Sequence, residues 1–218
     1  GAVPRHGHLG HRRRCLVGRQ RRARNPELVI NFYNERRKQL LDVVPNAGHL
    51  GVADLERDFN VTVVTQNVDN LHERAGSTHV IHLHGELTKV CSSRDPYNPH
   101  FVKELAPEEY EVKLGDKAGD GTQLRPFIVW FGESVPEIET AIRYVEQADI
   151  FVIIGTSLNV YPAAGLLNYV PRAAEVYLID PKPVDTHVMR PIHVIQKGAS
   201  EGVKELKALL TVTQPPLP

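Results

Sequence analysis

The chain has 218 residues, 41% of them hydrophobic and 24% charged, which suits one large domain or one domain carrying a small insertion. Its 26 basic and 26 acidic side chains cancel, and the longest apolar run, Ile150 to Ile154, is far shorter than the roughly 20 residues of a membrane span. Two cysteines, Cys15 and Cys91, cannot form a disulfide framework, so a cytoplasmic protein with free thiols and no membrane association is expected.

The balanced charge is unevenly distributed. Residues 1–24 hold eight arginines, three histidines and no acid, leaving 18 basic and 26 acidic side chains in the remainder. The segment has neither helical nor strand periodicity and reads as a disordered or aberrant basic tail. Its arginines have no interleaved aromatics and the body is acidic, so nucleic acid is not expected as a partner. Nothing in the sequence specifies an oligomeric state.

Order is expected over 25–210. Asn25 as N-cap, Pro26 at the first helical position and Glu27 in the first turn predict a helix to about Val43. Its apolar face would carry Leu28, Phe32 and Leu40, flanked by Val29, Tyr33 and Leu41. Pro45 ends it, and Asn46 opens a second helix through Leu55 and Phe59, making 25–59 a helical part. β-Branched runs predict strands at Val61 to Thr65 and His79 to Leu83, with a short helix near 70–75 between them.

Residues 88–125 are polar, rich in Pro, Gly and Asp, and read as a loop-rich insertion. Regular structure resumes with a strand at Pro126 to Trp130, a helix after Pro136, and a buried strand at Asp149 to Ile154. A helix from Pro162 to Tyr169, strands at Glu175 to Ile179 and Ile192 to Ile195, and a helix at Glu201 to Leu210 complete the domain; 211–218 is a tail. Strands alternating with helices over 60–87 and 126–210 predict an α/β fold, a doubly wound and mainly parallel sheet covered on both faces.

Three predicted strand ends carry polar groups: Gln66, Asn67 and Asp69; His82, His84 and Gly85; and Gly155, Thr156 and Ser157. Ligands of open α/β sheets bind outside the carboxyl ends of the strands. Taken singly, Gly-Thr-Ser is a capping turn, His84 a hydrogen-bonded structural histidine, and Asn67 and Asp69 turn residues. Their order along the chain points to a site, where an imidazole could serve as a general base near neutral pH.

The blocks TQNVDNLHERAG (65–76), HLHGEL (82–87), PFIVWFGESVP (126–136), GTSLNVYPAAGL (155–166) and GASEGV (198–203) together resemble the sirtuin family of NAD-dependent protein deacylases. The resemblance implies a Rossmann-like core with a small inserted module, NAD as cofactor and acyl-lysine proteins as substrates. It makes His84 the catalytic base. Gln66, Asn67 and Asp69 match positions holding the nicotinamide-side ribose and the nicotinamide amide; Gly155, Thr156 and Ser157 match contacts to the dinucleotide phosphates and ribose. Asp180 falls at the adenosine ribose, and Ala199 beside the adenine through its backbone.

The segments Val129, Trp130, Phe131, Gly132, Glu133 and Leu158, Asn159, Val160 resemble the two edges between which the acyl-lysine peptide lies, with Val129 and Phe131 lining a channel for the lysine stem. The implied reaction gives nicotinamide, O-acyl-ADP-ribose and free lysine. A non-catalytic NAD-binding module and a protein ADP-ribosyltransferase stand as alternatives.

The sequence departs from the family pattern twice. Many sirtuins hold a structural zinc with four cysteines in the inserted module, whereas 88–125 contains Cys91 alone, so no metal is expected. Packing of Tyr97, Phe101, Leu105 and Tyr110 is expected to hold the module instead. Residues 1–24 also contain no counterpart of the family's first strand and G-A-G-x-S loop. An upstream reading-frame slip explains their composition better than a genuine basic arm. Without that strand and loop, lower stability and weaker NAD binding are expected of this chain.

Overall fold

The computed structural model describes residues 25–155, 163–183 and 188–212, which fall into two compact units. In chain order the elements are α1 Pro26–Leu41, α2 Ala47–Asp54, β1 Val63–Thr65, α3 Leu71–Ala75, β2 Val80–His82, β3 Gly85–Ser92, β4 Lys103–Glu104, β5 Leu124–Ile128 and α4 Ile138–Val145. They continue with β6 Ile150–Ile154, α5 Ala163–Leu166, β7 Glu175–Ile179, β8 His193–Ile195 and α6 Ala199–Val212. Among the described residues no helix is long and apolar enough to cross a membrane.

The first unit contains α1, the segment 67–69 and residues 84–135. Helix α1 starts where its cap predicts: Asn25 Oδ1 accepts from the Leu28 backbone N–H at 3.1 Å, and Pro26 occupies the first turn. Its buried face differs from the expected one. Val29, Ile30, Tyr33, Arg37 and Leu40 are buried, while Leu28 is 57% and Leu41 45% exposed. The cause is Arg37, which a hydropathy pattern assigns to solvent. Its Nε donates to the Tyr110 carbonyl at 2.8 Å and its Nη2 to Asn34 Oδ1 at 2.7 Å. Burial pulls its guanidinium down to about 10, still charged at neutral pH.

The region read as loop-rich has a more regular framework. β3 follows directly on His84 and pairs antiparallel with β4 on one side and β5 on the other. The β3–β5 register runs from Gly85 opposite Ile128 to Ser92 opposite Leu124, with a shift between Glu86 and Val90. Ile30, Val90, Val112 and Leu124 form an apolar cluster against which Leu105 packs. Of the four residues expected to hold this module, only Leu105 joins that cluster; Tyr97 is engaged elsewhere, as described below. Cys91 is fully buried, its thiol directed at the Pro126 carbonyl 3.7 Å away.

A polar knot closes the module beside that cysteine. Ser92 is fully buried, and its Oγ donates to Asp120 Oδ2 at 2.5 Å while accepting from the Arg94 and Asp95 backbone N–H groups at 3.0 Å. Asp120 Oδ1 accepts from both the backbone and the hydroxyl of Thr122. Hydrogen bonds from Ser92 and then Thr122 hold the Asp120 carboxyl down at about 2, against an ordinary 3.8. A depressed folded pKa contributes stability that is fully present above the unfolded value and lost as pH falls through the folded one. The module is therefore expected to loosen between pH 4 and pH 2, and Ser92→Ala to flatten that part of the melting temperature against pH profile. An unchanged acid limb in the Ser92→Ala profile would remove the knot from this role.

The second unit contains α2, β1, α3, β2 and the described residues from 136 onward. Helix α2 opens on a reciprocal capping box: Asn46 Oδ1 accepts from the His49 N–H, and His49 Nδ1 accepts from the Asn46 N–H. β1 and β2 pair in parallel, as do β6, β7 and β8 in that spatial order. Parallel strands joined through helices give the α/β class expected from the alternation. Leu55, Tyr177, Ile179, Ile195, Val203, Leu206 and Leu210 form the core between the β7–β8 ribbon and α6. Gly202 permits that approach, because a Cβ there would lie 2.2 Å from Ile179 Cγ2.

Candidate functional site

The central strand ends in the first unit are tied together by backbone hydrogen bonds. The Leu87 N–H donates to the Val68 carbonyl at 2.8 Å, anchoring the segment with Asn67 and Asp69 onto the start of β3. The Val129 N–H donates to the His84 carbonyl at 2.9 Å, joining the residue before β3 to the residue after β5. One short stretch, 84–87, thus holds Asn67 and Asp69 on one side and the start of the 129–133 segment on the other. The His84 imidazole is half-buried and Asn67 is exposed.

Gly85 makes this junction possible. Its φ of +89° lies in the left-handed region, and a Cβ there would fall 2.1 Å from the Phe127 carbonyl oxygen. No other residue type fits between His84 and the β5 backbone.

The two histidines of the HLHG stretch have different surroundings. His82 is buried, with Nε2 2.9 Å from Glu73 Oε2 on α3, an ion pair when the ring is protonated. Burial pushes the Glu73 carboxyl up, but its hydrogen bond and charge interaction with His82 prevail and leave it below its usual range. His82 therefore fastens α3 to β2, and His84 is the half-buried imidazole at the strand end.

Residues 129–133 show two kinds of side chain. Phe131 is 77% exposed and Val129 half-buried, whereas Trp130 is 7% exposed. The indole N–H of Trp130 donates to the Tyr33 hydroxyl at 2.9 Å. Gly132 turns the chain with φ +82°, and the Glu133 N–H closes the turn onto the Trp130 carbonyl at 3.0 Å.

In the second unit, Gly155 and Asp180 follow the neighbouring parallel strands β6 and β7 at their carboxyl ends. The Gly155 N–H donates to the Ile179 carbonyl and the Asp180 N–H to the Ile195 carbonyl, both at 3.2 Å. Asp180 Oδ1 accepts from the Lys182 N–H at 2.8 Å. Ala199 begins α6. Thr156, Ser157, Asn159 and Val160 lie outside the described residues.

Of the buried polar atoms that lack a hydrogen-bond partner among the described residues, two stand between β1 and α3: Gln66 Nε2, a donor, and Asn70 Oδ1, an acceptor. Buried orphans of this kind are uncommon and mark places where a ligand or water completes the bonding. Asn70 was not among the expected site residues. It stands in the same polar run as Gln66 and Asp69, but only burial distinguishes it from a turn residue. A separate groove of about 570 Å³ in the first unit, lined by residues of α1 and of 110–114, includes none of the expected site residues.

The model of the Sir2 family matches residues 10–162. The chain belongs to the Sir2 family. It is 83% identical over 187 residues to an NAD-dependent protein deacylase of Bacteroides thetaiotaomicron, covering 86% of this chain and 80% of the relative. An NAD-dependent protein deacylase of Helicobacter pylori is 47% identical over 183 residues, covering 84% of this chain and 77% of that one. Among solved structures, a Sir2 homologue in complex with NAD superposes with a TM-score of 0.76 at 35% identity, over 90% of this chain and 77% of that one. A Sir2 protein with a p53 peptide and NAD+ gives 0.71 at 25% identity, over 98% and 87%. Sir2 membership supports the α/β, Rossmann-like reading of the parallel strands and the resemblance drawn from the five sequence blocks.

Proposed function

We propose that this chain is an NAD-dependent protein-lysine deacylase, in which an acyl-lysine, NAD and one water give nicotinamide, O-acyl-ADP-ribose and free lysine. Sir2 membership and the 83% identity to a relative named for that activity support the reaction. The observation that carries it to particular residues is the pair of hydrogen bonds, Leu87 N–H to Val68 and Val129 N–H to His84, that bind three family blocks into one junction.

The polar atoms suit the dinucleotide. Gln66 offers a buried donor and Asn70 a buried acceptor, each without a partner, and a ribose hydroxyl can satisfy either. Gln66, Asn67 and Asp69 would hold the nicotinamide-side ribose and amide. Gly155, Thr156 and Ser157 would contact the phosphates and ribose, Asp180 the adenosine ribose, and the Ala199 backbone the adenine. When bound, NAD supplies a ribose carbon that takes the acyl oxygen as nicotinamide leaves.

His84 would take a proton from a ribose hydroxyl of bound NAD onto a ring nitrogen, a task suited to an imidazole. Val129 to Glu133 would receive the peptide as an added strand, so main-chain bonds give affinity and sequence preference is modest, and the family pattern gives Asn159 and Val160 a part in the same task. The exposed Phe131 and half-buried Val129 would flank the lysine stem. A cytoplasmic setting is part of the proposal, since two cysteines are too few for a disulfide framework.

The test is nicotinamide release from NAD with and without an acetyl-lysine peptide. Peptide-dependent release is expected. NAD binding without release would replace the proposal with a non-catalytic module, and labelled ADP-ribose appearing on protein would replace it with ADP-ribosyl transfer.

A further inference from the structure

The 129–133 segment rests on a buried charged network centred on Arg125 and Glu133. Arg125 and Glu133 have side chains only 6% and 9% exposed. Arg125 Nη2 donates to the Ile128 carbonyl at 2.8 Å and to Glu133 Oε1 at 3.3 Å, bridging the last residue of β5 to the far side of the turn. Its guanidinium lies 3.7 Å from the centre of the Trp130 ring. Glu133 Oε1 also accepts from the Trp130 backbone N–H at 3.3 Å, and Oε2 accepts from the Tyr97 hydroxyl at 2.9 Å. These bonds hold the carboxylate beneath the turn, while Phe131 between the anchors is exposed.

Burying two opposite charges under a five-residue turn is costly unless their remaining hydrogen bonds are satisfied. Here the bonds go to the Ile128 carbonyl, the Trp130 N–H and a phenol from the inserted module. Burial, and then the hydrogen bond to Glu133, push the Tyr97 phenol up to about 12, so it remains a donor at working pH. The network fixes where the backbone of 129–133 runs without presenting a charge at its outer face.

We infer that Arg125, Glu133 and Tyr97 are positioning residues that set the course of the 129–133 edge for an incoming acyl-lysine peptide, and that Glu133 acts from beneath the edge, not on the substrate. The inference rests on the deacylase reading for what the edge receives. It gives the inserted module a part in peptide affinity, through Tyr97.

The variant to measure is Tyr97→Phe in the full chain, which keeps the ring and removes one hydroxyl. The KM for an acetyl-lysine peptide is expected to rise about three- to ten-fold, the size of one ordinary net hydrogen bond, with kcat and the KM for NAD nearly unchanged. Trp130 is the only tryptophan in the chain, so its emission reports this network alone and should shift to the red as the guanidinium loosens over the ring. Glu133→Gln, which keeps the shape and removes the charge, should raise the peptide KM further.

A fall in kcat at unchanged peptide KM would show a merely structural role and overturn the inference. Should the wild-type chain release no nicotinamide with peptide, the deacylase reading fails at that step. The network is then judged by emission, and an unshifted Trp130 spectrum in Tyr97→Phe overturns it.

Discussion

Replacing His84 by alanine is expected to lower peptide deacylation by about 10² to 10⁴, the usual contribution of a placed general base, while leaving most NAD affinity intact. The separation follows from how His84 is held. Its carbonyl accepts from the Val129 N–H, and the next residue begins β3, so the backbone course does not depend on the ring. The dinucleotide contacts proposed for Gln66, Asn67 and Asp69 are made by other side chains. Free lysine measured by mass spectrometry and NAD binding measured by calorimetry report the two effects separately. Near-native turnover in His84→Ala would remove this residue from the role of base.

Gly85→Ala is expected to be at least as damaging, through a different cause. Alanine would meet the Phe127 carbonyl oxygen at 2.1 Å and would have to adopt φ +89°. Backbone strain of that kind costs about 1–3 kcal/mol, and forcing β5 away from β3 adds a similar amount. The strand that must shift carries Ile128 and leads into Val129, so the damage reaches the His84–Val129 hydrogen bond. Thermal unfolding should show a melting temperature several degrees lower. An unchanged melting temperature with native activity would contradict the reading of this glycine as a close-approach position.

Much of the fold was legible because local signals agreed with the final packing. Asn25 and Pro26 announced α1, Asn46 announced α2, and the run Glu175–Ile179 is the strand β7 to the residue. β3 was not legible as a strand. Gly-Glu-Leu-Thr-Lys-Val-Cys-Ser mixes breakers and charges, and its partner β5 begins 32 residues further on at Leu124; pairing, not propensity, makes it a strand. The face of α1 was misread for a similar reason, since a buried arginine looks like a solvent residue until Tyr110 and Asn34 are seen to accept from its Nε and Nη2.

The candidate site divides the same way. Gln66, Asn67, Asp69 and His84 stand in one short stretch of polar residues after strands, and the family pattern names their tasks. Glu133 was expected on the substrate edge by that pattern, but only its turn onto Arg125 and Tyr97 shows its carboxylate directed inward. Asn70 could not be told from a turn residue without its burial.

The sheet also bears on the expectation of lower stability. Among the described residues β1 pairs only with β2, and β6 only with β7. β6 reads Ile-Phe-Val-Ile-Ile, yet only Ile153 is buried. A wholly apolar strand normally lies inside a sheet, with both sides paired and both faces covered.

In the proposed reaction the acyl group leaves lysine on the ribose of NAD. The most direct measurement is the product stoichiometry of the wild-type chain with NAD and an acetyl-lysine peptide, followed by mass spectrometry. One nicotinamide and one acetylated ADP-ribose for each lysine freed is the predicted result. Free acetate with intact NAD, or ADP-ribose joined to protein, would contradict it.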